Sequence, residues 1–237
     1  MRCMRCSDNC DTFETSKLIT RNSLMKRIVL ATTLALTAAT AHAGPVSFAS
    51  GWSEQKLSLF SSNDYSFGNT LQMTSNGSVS IAWSRVGQGD WGANGASWNW
   101  TVGQSVPATD LSRKGGDDRN ISLYFVFVPA DVAPSLAGAG IRSLLGRSDV
   151  RVIQYAWGGN NRVGSVIPSP YGKSGTGVTI PLRQAGTGNA SERVNLSADY
   201  ARAFGGQKGA LIGLAVSGDS DDTSSVIQAA IGNLSLN

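Results

Sequence analysis

Histidine and cysteine are almost missing from this chain, with one His and three Cys in 237 residues. All four of them, His42 and Cys3, Cys6 and Cys10, fall within the first 43 positions. Residues 25–43 read MKRIVLATTLALTAATAHA. Lys26 and Arg27 precede an apolar run too short to cross a bilayer, and Ala41-His42-Ala43 supplies a small-x-small cleavage site. That is the layout of a secretory signal peptide. The expectation is export to the periplasm or beyond, cleavage after Ala43, and Met25 as the true start, since the residues before it are polar and unpatterned.

The chain that would remain, Gly44 to Asn237, has no His and no Cys. A Ser-His-Asp or Cys-His nucleophile cannot be built there, nor an imidazole metal site, nor a disulfide. The Cys run of the leader, CMRCSDNC, lacks the fourth ligand and the partner spacing of a zinc site. The leader also holds six of the twenty Lys/Arg and three of the sixteen acids, which leaves 14 and 13 and a net charge of +1. The basic balance of the whole chain therefore belongs to the leader, and a nucleic-acid footprint is excluded with it. No second long apolar segment follows, so no transmembrane segment is expected after Ala43.

What is present is a series of short strands punctuated by Gly, Asn, Asp and Ser. TLQMTSNGSVSIAWSR (70–85) alternates on both sides of Asn76-Gly77 and predicts a hairpin. A three-residue loop, Asn76-Gly77-Ser78, would pair Met73 with Ile81 and Leu71 with Trp83 on one apolar face. ASWNWTV places Trp98 and Trp100 on a common face. ISLYFVFV (121–128) is apolar on both faces from Leu123 onward and predicts a central strand. VRVIQYAWG, VTIPL, ALIGLAV and SVIQAAIGNLSL read as further strands. Helical patterns occur only within 134–145 and in LSADYARAFGG, with Ser197 as its N-cap and Gly205 as its stop. The expected fold is one all-β domain over 44–237, an antiparallel β-sandwich of jelly-roll type with one or two short helices.

Two features point to sites. Asp117, Asp118 and Arg119 precede the apolar strand at 121–128, and Asp219, Asp221 and Asp222 follow the strand at 210–216. Sequence-distant strands are neighbours in a jelly-roll, so both sets can meet at one end of the sandwich. Arg119 would then offset only one of five carboxylates. Either a calcium ion sits on Asp117, Asp219 and Asp221, or the clusters stay apart and each hydrates its own turn. The EF-hand pattern is absent, because Ser224 and Ala230 stand where it needs Gly and Glu. No other cofactor is implied. The second feature is the run Arg151, Ile153, Tyr155 and Trp157, which shares a strand face and leads into Gly-Gly-Asn-Asn-Arg. Arg151, Tyr155, Trp157 and Asn160 would make a stacking and hydrogen-bonding platform for a sugar. The same rings could equally cover one face of the core. YGKSGTG is not a phosphate loop, since Ile167 stands where the first Gly belongs.

Taken in order, GSVSIAWSRV, ASWNWTV, GGDDRNISLYFVF, SADYARAFGG and AVSGDSDDTSS resemble the exported bacterial domain-of-unknown-function 3047 family. The chain departs from that pattern at Ser220 and Asp222 and in a Gly-rich insert near 158–177. The resemblance implies a jelly-roll similar to carbohydrate-binding modules and galactose-binding-like domains, in a Gram-negative periplasm. The expected function is non-catalytic binding of a glycan or another polar component of the cell envelope. The alternatives are an envelope interaction protein without a small ligand, and a carboxylate-based glycoside hydrolase. Against the hydrolase, only two Glu follow the leader, Glu54 and Glu192.

Overall fold

A computed structural model describes residues 44–58, 61–171 and 175–237. The signal peptide, its cleavage site and the expected start at Met25 lie outside the described residues. Thirteen strands follow one another: β1 (Gly44–Pro45), β2 (Trp52–Lys56), β3 (Asp64–Phe67), β4 (Thr70–Asn76), β5 (Ser80–Arg85), β6 (Gly95–Gln104) and β7 (Arg119–Val128). After these come β8 (Arg151–Trp157), β9 (Ile167–Pro168), β10 (Gly177–Arg183), β11 (Gly188–Asn195), β12 (Ala210–Asp219) and β13 (Val226–Leu236). Among the described residues three short α-helices are inserted, α1 (Ala133–Leu136), α2 (Ile141–Leu145) and α3 (Leu196–Phe204), with a single 3-10 turn at Gln88–Asp90. None of the described helices is long and apolar enough to cross a membrane.

The strands form two sheets. Sheet I runs β11-β6-β13-β4-β3, with β1 also on β13, and sheet II runs β2-β5-β12-β7-β8-β10-β9. The all-β sandwich is as expected. Its pairings are antiparallel apart from β8 with β10, which is parallel.

Hydrophobic burial explains the layering. The alternating sequence of β4 buries Leu71, Met73 and Ser75 and exposes the residues between them. Trp98 and Trp100 of β6 turn inward and pack against Phe125, Tyr155 and Trp157 of sheet II, with ring centroids 5.8–6.2 Å apart. Strand β7 is buried on both faces because it serves two cores. Leu123, Phe125 and Phe127 face sheet I, whereas Val126 and Val128 join Trp83 and Ile212 beneath Ala133, Ile141 and Leu144 of the helices. Sheet II is thus covered on both sides, while sheet I keeps its outer face open.

Two local expectations are corrected. β4 and β5 do not form a hairpin: β4 pairs with β3 and β13, and β5 with β2 and β12. Asn76-Gly77 instead turns an arch from one sheet to the other, so Leu71 and Met73 lie in the main core and Trp83 in the smaller one. The arch is lined by buried polar groups that meet each other's needs. Asn63 Nδ2 donates to the Gly218 carbonyl (2.9 Å), Ser78 Oγ donates to Asn63 Oδ1 (2.8 Å), and Ser75 Oγ bonds Ser220 Oγ (2.7 Å). In α3 the N-cap is Asn195, whose Oδ1 accepts from the Ala198 amide at 2.9 Å, while Ser197 donates to Asn94. Gly205 does stop that helix, at φ +76°.

Candidate functional site

The acidic residues at 117–118 and at 219–222 are brought together. β7 and β12 are antiparallel neighbours, and the bulge around Gly218 sets Asp219 opposite Arg119. A side chain at Gly218 would collide with Met73 and with the Asn120 carbonyl, so only glycine lets the bulge form. On the other flank Gly158 passes so close to Arg119 that a Cβ there would lie 2.7 Å from the arginine side chain. Gly158 is therefore the floor on which Arg119 rests, while Gly159 makes room for Leu111.

Arg119 is buried and donates from Nη1 to Asp117 Oδ2 and to Asp219 Oδ2, both at 3.0 Å, and from Nη2 to the Tyr124 hydroxyl at 2.9 Å. Asp117 has its other oxygen taken by the Tyr171 hydroxyl, at 2.8 Å. Asp118 is fully buried and turns the opposite way: Oδ2 accepts from the Thr223 amide (2.7 Å) and hydroxyl (2.5 Å), and Oδ1 accepts from the Asp222 amide (3.3 Å). Each of the paired aspartates thus has a distinct task. Asp117 anchors the buried guanidinium, and Asp118 fixes the turn that follows β12. Burial pushes the Asp219 carboxyl up to about 8 against the pull of Arg119, with Asp221 and Asp118 adding repulsion. Burial and the same neighbours also raise Asp222.

These contacts correct the expected metal set. Asp117 turns to Arg119 and Tyr171, and it is Asp118 that stands beside Asp221. One carboxylate oxygen from each of Asp118, Asp221 and Asp222 lies within 4.8 Å of the other two. No sequence pattern distinguished Asp117 from Asp118. Their opposite directions follow from the strand alternation at the start of β7, whose phase depends on the bulge in its partner.

The expected aromatic platform is not exposed. Tyr155 is 0 % and Trp157 4 % accessible, and both belong to the core between the sheets. The Tyr155 hydroxyl donates to Asp199 Oδ2 of α3 at 2.6 Å, and burial together with that carboxylate holds the phenol protonated. Arg151 donates to the Ser148 and Val150 carbonyls and sits 5.9 Å from the Phe204 ring. Asn160 is exposed and is held through its backbone to Thr109 and Gln184. Stacking needs a free ring face, and these rings offer none.

The open surface lies elsewhere, on the outer face of sheet I. Register places Asn189, Thr101, Ala230, Gln72 and Ser66 in one row across β11, β6, β13, β4 and β3. A second row carries Gln104, Gln228, Thr74 and Asp64. The five strands span about 19 Å at the usual inter-strand spacing. Two shallow clefts lie on this face, of about 280 Å³ beside Gln72, Thr101 and Gln228 and about 380 Å³ beside Asn99, Ser191, Arg193 and Asn233. Sequence reading missed this face because its residues are common, uncharged and spread over five strands.

The fold is similar to that of the xyloglucanase domain of NopAA, a type three effector from Sinorhizobium fredii solved with cellobiose. The two share 12 % identity at a TM-score of 0.42, over 82 % of this chain and 97 % of that one. It is also similar to the K3 cleaved adhesin domain of Lys-gingipain from Porphyromonas gingivalis, with 11 % identity and a TM-score of 0.35, over 80 % and 92 % of the two chains. No curated protein matches the sequence. The family described as proteins of unknown function, DUF3047, matches across residues 50–235, which take in every strand but β1 and the end of β13. The chain is a member of the DUF3047 family.

Proposed function

We propose that this is an exported, non-catalytic β-sandwich that binds a neutral glycan on the open face of sheet I. One observation carries the reading: the face is a field of hydroxyl and amide side chains with almost no charge. Of the exposed outward positions on β3, β4, β6, β11 and β13, only Asp64 and Arg193, on the two edge strands, are ionised. A face that only needs to be wetted commonly carries Lys and Glu, whose charge also keeps sheets apart. Asn, Gln, Thr and Ser both donate and accept, which matches the hydroxyl groups of a sugar. Thr101 and Asn189 already hold each other in place across β6 and β11 at 2.6 Å, so part of the surface is pre-organised.

With no aromatic ring on these rows, binding rests on many hydrogen bonds and favours an extended oligosaccharide over a monosaccharide. The buried Asp117–Arg119–Asp219 arrangement supports a structural role for those carboxylates, which disfavours the hydrolase reading. The test is a thermal-shift screen of the full chain against neutral, acidic and basic oligosaccharides, since a ligand that binds only the folded state raises its melting temperature. A rise with neutral chains of several sugar units is expected. A response confined to charged glycans, or none to any oligosaccharide, would contradict the reading.

A further inference from the structure

The acidic end of the sandwich carries an inference that goes beyond glycan binding and does not rest on it. Asp118, Asp221 and Asp222 converge there, the first fully buried and the other two reaching in from solvent. Convergence of acids alone would say little, since exposed carboxylates are common. The independent observation is Asp219. Its side chain is nine-tenths buried, Oδ2 is held by Arg119, and the buried Oδ1 has no hydrogen-bond partner. The carboxyl faces that of Asp221 at hydrogen-bonding range, with Asp118 also close enough to repel it. A buried carboxylate oxygen without a donor is costly to leave unsatisfied. Either Asp219 keeps a proton and shares it with Asp221, or it ionises and leaves Oδ1 with neighbours, Asp221 and Asp118, that cannot donate to it. The one buried cation among the described residues, Arg119, is already shared with Asp117.

We propose that Asp118, Asp219, Asp221 and Asp222 bind a hard divalent cation of the calcium type. The donors are all oxygen, and His and Cys are absent from the described residues, which disfavours the softer transition metals. Asp219 would contribute Oδ1 alone, because Arg119 fixes Oδ2. Asp118 presents Oδ1, which carries only the long bond from the Asp222 amide. The irregular mixture of one strand-end and several turn carboxylates suits calcium, which takes about six to eight oxygens in flexible geometry, better than magnesium with its demand for a near-ideal octahedron. Water would complete the shell on the exposed side. The site would tie the turn after β12 to the start of β7.

The test is calorimetric titration and thermal melting of the chelator-stripped full chain with calcium. At a hundredfold excess over Kd the melting midpoint is expected to rise by about 5–10 °C. Asp221→Asn and Asp222→Asn, both at exposed side chains, should each weaken calcium binding roughly tenfold with circular dichroism intact and the cation-free melt unchanged or raised, as relief of carboxylate repulsion implies. Asp131→Asn, on a separate exposed loop, should change neither. Absence of heat and of any midpoint shift at millimolar calcium would overturn the site. So would an undiminished shift in the Asp221→Asn/Asp222→Asn double variant, or an equal shift with magnesium. Stabilisation of the cation-free protein by Asp219→Asn, without a calcium response in wild type, would assign a shared proton instead.

Discussion

Arg119 and Trp157 show how far single residues depend on burial for their role. Among the described residues Arg119 is the only buried cation at the acidic end, and it is shared by Asp117 and Asp219 inside the structure. Arg119→Met would leave both carboxylates without a counter-charge. Breaking one side of a buried pair costs about 3–5 kcal/mol, so a large drop in the urea midpoint is expected. A change within experimental error would mean that the carboxylates find other partners. Trp157 packs edge-on against Trp100 at 5.8 Å, with Arg183 over its ring at 5.8 Å. Trp157→Ala should cost about 3–5 kcal/mol of stability, as buried Trp truncations do. A mild loss of stability would place the ring at the surface, as a sugar platform requires.

At the scale of elements, the arch between β4 and β5 links the two sheets and depends on buried polar contacts. Asn63→Ala would remove the donor to the Gly218 carbonyl and the acceptor of the Ser78 hydroxyl, which keep second contacts to Ser217 Oγ and Ser75 Oγ, so a cost of about 0.5–1.5 kcal/mol per lost bond is expected. Denaturant unfolding of that variant should show a lower midpoint with an unchanged slope. The same arch marks what the sequence could and could not reveal. Alternation in β4 and the double-faced apolar run of β7 follow from burial on one face or two, and both were legible. Asn76-Gly77 correctly announced a turn. A two-residue period, however, says which side of a strand is apolar and nothing about which sheet the strand enters, so an arch read as a hairpin. Tyr155 and Trp157 were misplaced for a related reason, since rings at i and i+2 look alike whether they face a core or a ligand. The acidic clusters were legible as neighbours. Which of Asp117 and Asp118 met Arg119 was not, because it turns on the Gly218 bulge in a strand a hundred residues away.

For the whole molecule, the asymmetry between the sheets organises the account. The central strands of sheet II are buried on both faces, between sheet I and helices α1 and α2, and sheet I presents a polar, nearly uncharged surface. An exported protein should start at Gly44, so intact mass of periplasmic material is expected to match residues 44–237. Retention of Met1 or Met25 would contradict export by this signal. The binding claim itself is tested most directly by titrating the strongest oligosaccharide from the screen into wild type and into Asn99→Ala/Gln228→Ala. Both side chains are exposed on the face of sheet I and neither has a buried contact to lose. The predicted result is an affinity lowered about tenfold or more, as the loss of roughly one hydrogen bond per side chain implies, with the melting temperature unchanged. Full affinity in the double variant would contradict a glycan site on sheet I.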